Sequence, residues 1–187
     1  MAQKYINDGY LVVPEIFDQA TVESIQSEIP KFLDGTYPVN NPSGNKDSGL
    51  LAVHFPHWVS RPIFETLGHP KIKEVLQIIV GAHIPHWDGR VKCMQSMLFL
   101  KPPGFPGQAW HQDERFIPTR DRSLVGVWIA LDDATLDNGC LRVIPGSHKM
   151  GQLWPTRPHN ETEEFDLSDE SYGFNSDNEE IVEVKAG

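Results

Sequence analysis

The stretch Trp110-His111-Gln112-Asp113 is the most informative part of this chain, because it places an imidazole and a carboxylate two residues apart. In an extended segment this spacing puts both side chains on one face, with Cα atoms roughly 6.5–7 Å apart. The two groups can then converge on one cation, while Gln112 points the other way. A bare His-x-Asp occurs by chance in many proteins, so its weight depends on the sequence around it.

The segments on either side of this motif favour a ligand pair. A loop that cannot be a strand interior, Pro102 to Gly107, comes before it. The segment Ser123 to Asp132 follows, and its apolar residues on both faces predict a buried strand that could wall a dry pocket. In this setting the motif predicts two of the three protein ligands of a mononuclear Fe(II) site, which uses two His and one carboxylate.

Helical patterns dominate the first half of the chain and strand patterns the second. One helix is predicted from a cap at Asp18 to about Asp34, with Pro30 expected to kink or shorten it, and another from Pro70 to Gly81. Strands are predicted at Tyr10–Pro14, Cys93–Leu100, Ser123–Asp132, Cys140–Ile144 and Ile181–Lys185. Helices followed by short strands with Gly/Pro turns predict an α+β layout, mainly β, around a sandwich or jelly roll.

Composition narrows the classes of partner and the compartment. The net charge of -10 argues against nucleic acid and against an anionic membrane surface. Residues 1–10 have no apolar core like that of a signal peptide, and no apolar run is long enough to span a bilayer, so a cytoplasmic protein is predicted. Cys93 and Cys140 are then expected to be reduced thiols.

An acidic stretch stands out near the end of the chain. Between Glu161 and Glu180 there are nine acidic residues and no basic one, which is typical of a solvated loop. The alternative is a lid over a site mouth, and it stays open because Phe165, Tyr172 and Phe174 are unusual in a disordered linker.

Several motifs in order make a family recognisable. From Gln95 to Lys149 the chain resembles the phytanoyl-CoA dioxygenase family of Fe(II)- and 2-oxoglutarate-dependent oxygenases. The matching pieces are Gln95-x-Met97-x-Phe99-x-Lys101-Pro102-Pro103-Gly104, Trp110-His111-Gln112-Asp113, Val127-Trp128-Ile129-Ala130-Leu131-Asp132-Asp133 and Asn138-Gly139-Cys140-Leu141-Arg142-Val143-Ile144-Pro145-Gly146-Ser147-His148-Lys149. The start, Asp8 to Val13, and the helix from Pro70 also resemble the family, whereas the acidic stretch does not.

The resemblance implies a fold and a domain plan. The fold would be a double-stranded β-helix, an eight-stranded cupin-like jelly roll with N-terminal helices packed on it. Residues 1–187 would form one domain, with 1–92 as helical support and 93–187 as a partial jelly roll that carries an acidic loop at 157–180.

The resemblance also implies a site. His111 and Asp113 would bind Fe(II), Gln95 would contact 2-oxoglutarate, and Trp128 would line the pocket near that co-substrate. Trp128 would be equally at home as a plain core residue, and Lys101 is better explained as a strand-end lysine. His148 is expected to order the loop that follows its strand.

The reaction that the family implies uses O2 and 2-oxoglutarate, releases succinate and CO2, and hydroxylates a small organic substrate. Asp113 favours hydroxylation, because related halogenases have a small residue at this position. Arg115, Arg120 and Arg122 could meet an anionic substrate or simply balance the negative chain. The substrate and the oligomeric state are left open.

Part of the expected apparatus has no counterpart in the sequence. In the family a distal His and an Arg for 2-oxoglutarate follow a strand that would begin near Ile181. Only His148 and His159 lie downstream of Asp113, neither is a good third ligand, and Arg142 is a poor substitute for the Arg. Three of eight jelly-roll strands are unaccounted for, which predicts that these residues are part of a longer chain.

Two other classes of function therefore remain open. The first is a non-catalytic jelly-roll binding domain that kept the pocket but lost the third ligand. The second is a cupin-like protein that uses another divalent metal for non-oxidative chemistry.

Overall fold

A computed structural model describes residues 1–38, 52–82, 84, 86–105, 107–151, 153–159 and 169–187. Its helices are α1 (Ala2–Asp8), α2 (Gln19–Gln26), α3 (Ile29–Leu33), α4 (Arg61–Leu67) and α5 (Pro70–Gly81). Its strands are β1 (Ala52–His54), β2 (Met97–Phe99), β3 (Leu141–Val143), β4 (Thr156–Pro158), β5 (Asp169–Ser171) and β6 (Glu180–Val182). Short 3-10 turns lie at Pro56–Trp58, Asp113–Arg115, Leu136–Asn138 and Ser147–Met150.

The two predicted helices form, and the first one is divided as its proline predicts. The carboxylate of Asp18 accepts a hydrogen bond from the Thr21 amide at 2.9 Å and so caps α2. The chain breaks after Gln26 and resumes as α3 with Pro30 in its first turn, where the missing N–H costs no helical hydrogen bond. The second predicted helix forms as α5 over Pro70–Gly81.

A compact apolar core lies where the helices meet the first strand pair. Strands β1 and β2 are antiparallel, with Val53 opposite Leu98. Ile25 of α2, Phe32 of α3 and Ile63 of α4 complete this buried cluster. Strand β1, which the sequence did not predict, thus lies within residues 1–92 and pairs with a strand beyond residue 92.

Of the five predicted strands, three form near their predicted positions but are shorter, and two do not form. The ladders β3–β6 and β4–β5 are antiparallel and three residues long on each strand. The predicted strands at Tyr10–Pro14 and Ser123–Asp132 are not strands, because a strand needs a neighbour to accept and donate its backbone hydrogen bonds. Val127 and Trp128 are 47% and 42% exposed. Within the described ranges, helices and short ladders mix without a closed barrel.

The C-terminal residues form backbone hydrogen bonds with residues 130–134 and with Phe17. Ala134 forms a two-way bridge with Val184, and the Gly187 amide donates to the Ala130 carbonyl at 3.0 Å. The Gly187 carbonyl accepts from the Phe17 amide at 2.9 Å. These bonds connect the C-terminal segment to both the helical region and residues 130–134.

Part of the acidic stretch forms a strand, so the prediction of a solvated loop is wrong for residues 169–171. Asp169–Ser171 form β5 against β4. The Phe174 ring packs edge-on against Trp110 and Trp154, with centroid distances of 5.6 and 5.8 Å. Residues 160–168, on which part of this prediction falls, lie outside the described residues.

Membrane insertion through a helix finds no support in the structure. Among the described residues, no helix has both the length and the apolar character needed to cross a bilayer.

Candidate metal centre

The segment that carries His111 and Asp113 is held against the end of the acidic stretch. The Trp110 carbonyl accepts from the Ser171 amide at 2.6 Å. The Gln112 side-chain oxygen accepts from the Trp154 amide at 2.9 Å, which turns Gln112 away from its two neighbours in sequence. Bonds before and between the two candidate ligands therefore set the direction in which their side chains point.

The His111 ring has a defined tautomer. Its Nδ1 lies 2.8 Å from the Ala109 carbonyl oxygen, and because a carbonyl can only accept, Nδ1 carries a proton. In the neutral ring the lone pair is then on Nε2, the tautomer in which metal-binding histidines are commonly fixed by a backbone carbonyl. This Nε2 lies 3.2 Å from Oδ1 of Asp113.

The facing atoms of His111 and Asp113 favour a proton or a metal ion between them. A neutral His111 would place two acceptors, Nε2 and Oδ1, against each other at 3.2 Å. A proton on Nε2 relieves that repulsion, and the resulting hydrogen bond holds the pKa of Asp113 below its usual range although burial works in the opposite direction. A metal ion bound by both atoms would relieve it equally.

Gly126 makes room for the carboxylate, and sequence reasoning did not single it out. A Cβ atom built on Gly126 would lie 3.1 Å from Oδ2 of Asp113, tighter than an ordinary contact. A side chain at residue 126 would push on the very oxygen that faces away from His111. The available signal was an isolated glycine inside an apolar segment, which indicates the close approach of another group.

The two predicted co-substrate residues occupy different places. The Gln95 amide nitrogen lies 3.2 Å from Nδ1 of His54 on β1, a partner that the sequence did not indicate. Trp128 is two residues after Gly126 in a segment without turns or bends, so both residues share a face if the chain is extended there.

The Lys101 ammonium lies over Gly139, whose φ of +90° and lack of Cβ leave space for it.

The downstream histidines do not join the pair. His148 Nε2 lies 3.0 Å from the Ile6 carbonyl oxygen, so His148 attaches its turn to α1. His159 is 8% exposed at the end of β4, and both its ring nitrogens are buried without a hydrogen-bond partner among the described residues. Across the described ranges, no group of three His, Cys, Asp or Glu side chains could hold a metal ion.

The residues present fit two-thirds of an iron site. The donor set is one imidazole and one carboxylate, the imidazole tautomer is suitable, and Gly126 leaves the carboxylate accessible. The side chains of His111 and Asp113 are 27% and 56% exposed, so an ion could reach them.

Known proteins resemble this chain in sequence over different lengths. A phytanoyl-CoA dioxygenase from Arabidopsis thaliana is 56% identical over 59 residues, which are 31% of this chain and 21% of that protein. A probable alpha-ketoglutarate-dependent hypophosphite dioxygenase from Stutzerimonas stutzeri is 27% identical over 172 residues, 87% of this chain and 57% of that protein. The matched segments thus span from about a fifth to somewhat over half of these relatives.

A solved structure and a family model agree with the sequence matches. The crystal structure of EvdO2 from Micromonospora carbonacea var. aurantiaca, complexed with 2-oxoglutarate, superposes on all of this chain and on 76% of its own, with a TM-score of 0.68 at 18% identity. The two proteins therefore share a fold. The family model for phytanoyl-CoA dioxygenase (PhyH) matches residues 5–187, which confirms the predicted family. The chain belongs to the phytanoyl-CoA dioxygenase family.

Proposed function

We propose that this protein is a non-heme Fe(II)- and 2-oxoglutarate-dependent dioxygenase, with His111 and Asp113 as two of the three iron ligands. The observation that carries the proposal is the approach of His111 Nε2 to Asp113 Oδ1 at 3.2 Å, while the Nδ1–H of His111 donates a hydrogen bond to the Ala109 carbonyl. Family membership supports the same chemistry.

Bound Fe(II) would supply the redox chemistry that couples decarboxylation of 2-oxoglutarate to oxygenation of a second substrate. The Ala109 carbonyl keeps His111 in the tautomer that can donate its Nε2 lone pair. An aspartate carboxylate is ionised at neutral pH, so Asp113 needs no deprotonation to bind a cation. Gly126 keeps the other oxygen of Asp113 open.

The co-substrate contacts are proposed for Gln95 and Trp128. The bond to His54 fixes one end of the Gln95 amide, which leaves its oxygen to accept from a ligand. If residues 126–128 are extended, Trp128 shares a face with Gly126, which lies against Asp113. Both roles are supported by the motif positions, and Gln95→Ala and Trp128→Ala are expected to raise the 2-oxoglutarate Kd more than the Fe(II) Kd.

For the fold we propose the double-stranded β-helix, with residues 1–92 as support and 93–187 as part of the jelly roll. The third ligand and a partner strand for residues 123–130 would lie outside the described residues. Support comes from the shared fold at a TM-score of 0.68 and from the exposed, unpaired apolar segment around Val127 and Trp128.

The proposed reaction is hydroxylation of a small organic substrate with release of succinate and CO2. Asp113 supports hydroxylation, because a carboxylate at this position occupies the place that a halide would need. The arginines Arg115 and Arg120, in the loop that follows the pair, are exposed and could meet an anionic group on the substrate.

The test is an anaerobic titration of the protein with Fe(II) and 2-oxoglutarate, followed by measurement of succinate after oxygen is admitted. Binding of both ligands and release of succinate are expected. His111→Ala and Asp113→Ala should each abolish Fe(II) binding, while Asp137→Ala, at an exposed turn, should leave it unchanged. A protein that binds neither ligand would instead be a non-catalytic binding domain, and binding of another divalent metal without succinate would indicate cupin-like chemistry.

A further inference from the structure

Glu114, the residue next to the candidate ligand Asp113, closes the loop that follows it. One carboxylate oxygen, Oε1, accepts from the Thr119 amide at 2.6 Å and from the Thr119 hydroxyl at 2.5 Å. The other, Oε2, accepts from the Leu124 amide at 3.2 Å. The Thr119 hydroxyl also accepts from the Ser123 amide at 2.9 Å. We call these four bonds the Glu114 clamp.

The Glu114 clamp positions the backbone segment that faces the Asp113 carboxylate. It fixes the backbone of Leu124, and Gly126 follows two residues later, where a Cβ atom would lie 3.1 Å from Oδ2 of Asp113. On the other side, His111 Nε2 faces Oδ1. The Asp113 carboxylate is thus bounded by His111 and by a backbone segment whose position depends on Glu114.

Glu114 is poorly placed to be a ligand itself. Both its oxygens already accept hydrogen bonds from backbone or hydroxyl donors, and it belongs to no group of three metal-binding side chains among the described residues. Its carboxylate satisfies three donors of a loop that forms no regular secondary structure of its own after Arg115. A carboxylate with this set of partners acts on the shape of the loop.

We propose that Glu114 is a positioning residue for the metal centre, which holds residues 124–126 at the distance that leaves the Asp113 carboxylate free to bind the metal. The proposal rests on the proposed function, since it assigns Glu114 a role in a site formed by His111 and Asp113. Partners that orient metal ligands typically change metal affinity by about 10- to 100-fold when they are removed.

The test uses Co(II), a neighbour of Fe(II) in the affinity series whose visible absorption reports on its coordination geometry. Glu114→Gln keeps the size of the side chain but turns an NH2 group toward either the Thr119 or the Leu124 amide, so that a donor faces a donor. We expect the Co(II) Kd to rise about tenfold or more and the Co(II) spectrum to shift, with the far-UV circular dichroism unchanged.

Asp121→Asn is the matched control. It removes one negative charge from the same loop, and its side-chain oxygen can still accept the bond from the Ser123 hydroxyl, now 2.6 Å long. Its Co(II) Kd should stay within about twofold of the parent, because salt screens an exposed charge at this distance. An equal effect of both variants would mean that loop charge matters and the clamp does not, which would overturn the proposal.

A second variant covers the case in which Glu114→Gln does not fold. Thr119→Val removes only the hydroxyl and leaves both amide bonds to Glu114, so a smaller rise in the Co(II) Kd is expected. Parental Co(II) affinity and spectrum in folded Glu114→Gln or, failing that, in Thr119→Val would refute the positioning role alone. If the parent protein binds no Co(II), or binds it equally well as His111→Ala, the proposed function fails and the role of Glu114 fails with it.

Discussion

The core around Phe32 and the metal centre around Asp113 are built from different interactions. Phe32, Val53 and Leu98 are at most 8% exposed and belong to one buried cluster, with contributions from α3 and from the β1–β2 strand pair. Asp113 has a side chain that is 56% exposed, and its surroundings are held by hydrogen bonds from a loop. This difference indicates that one part of the chain supplies most of the folding free energy and another sets the geometry of the candidate metal ligands.

This separation has a physical basis. Burial of apolar side chains contributes to stability without demanding a particular angle at any one atom, whereas a hydrogen bond fixes a direction but adds little net free energy. Substitutions in the core should therefore change the free energy of unfolding, and substitutions around Asp113 should change metal affinity.

The largest effect is expected from Phe32→Ala. This side chain is 3% exposed and its ring lies 5.0 Å from that of Tyr37, so truncation should lower the free energy of unfolding by about 3–5 kcal/mol in urea titrations. The control is Phe64→Ala on α4, where the side chain is 51% exposed and a change of about 0.5 kcal/mol is expected. A loss of Co(II) affinity in folded Phe32→Ala would contradict the view that the core affects stability and not metal binding.

Glu28→Gln tests a carboxylate that is buried beside the core. Glu28 is 5% exposed, and it accepts from the Lys31 ammonium at 2.6 Å and the Tyr37 hydroxyl at 2.7 Å. We expect a loss of roughly 1–3 kcal/mol of unfolding free energy at pH 7. Glu23→Gln, exposed on α2, should change it by about 0.5 kcal/mol or less.

The same variant should show a defined pH dependence. Burial raises the pKa of Glu28, but hydrogen bonds from Lys31, Tyr37 and Ser60 outweigh burial and leave the pKa below its ordinary value. A lowered folded-state pKa adds stability above the unfolded pKa of about 4.3 and loses it as the pH falls through the folded value. The difference between parent and Glu28→Gln should therefore shrink in acid, and a difference that grows there would contradict this account.

Gly126→Ala tests whether a residue beside the metal centre affects metal affinity more than stability. A Cβ atom 3.1 Å from Asp113 Oδ2 forces the carboxylate to shift, so the Co(II) Kd should rise about tenfold with little change in urea unfolding. Gly107→Ala is the control, since a Cβ atom there meets nothing within 4 Å. If Gly126→Ala instead destabilised the fold and bound Co(II) normally, Gly126 would belong to the packing of the chain.

The smallest effect is expected from Phe174→Leu, which keeps an apolar side chain but removes the edge-on contacts with Trp110 and Trp154. The free energy of unfolding should fall by roughly 0.5–1.5 kcal/mol. Proteolysis near residues 169–174 should become faster than in Phe64→Leu, the exposed control. Unchanged proteolysis would show that the backbone hydrogen bonds of β5, to β4 and to Trp110, hold it without the aromatic contacts.

Local sequence predicted well the features that depend on neighbours in the chain. The Asp18 cap, the break at Pro30 and the helix from Pro70 to Gly81 all rest on contacts within a few residues. The spacing of His111 and Asp113 likewise placed their side chains within reach of each other. The strand predicted at Ser123–Asp132 is wrong, because apolar composition indicates burial but supplies no pairing partner.

By itself, the sequence determined the family, the helical segments after Asp18 and Pro70 and the choice of two candidate ligands, because residue type and short spacing set capping, helix breaking and donor chemistry. Only the tertiary structure decided that Gly126 faces the Asp113 carboxylate, that Gln95 meets His54, and that Ser171 bonds to Trp110 across 61 positions of chain. These contacts join residues that are distant in sequence, and no local preference of the backbone or of a side chain encodes which of the many possible partners is met.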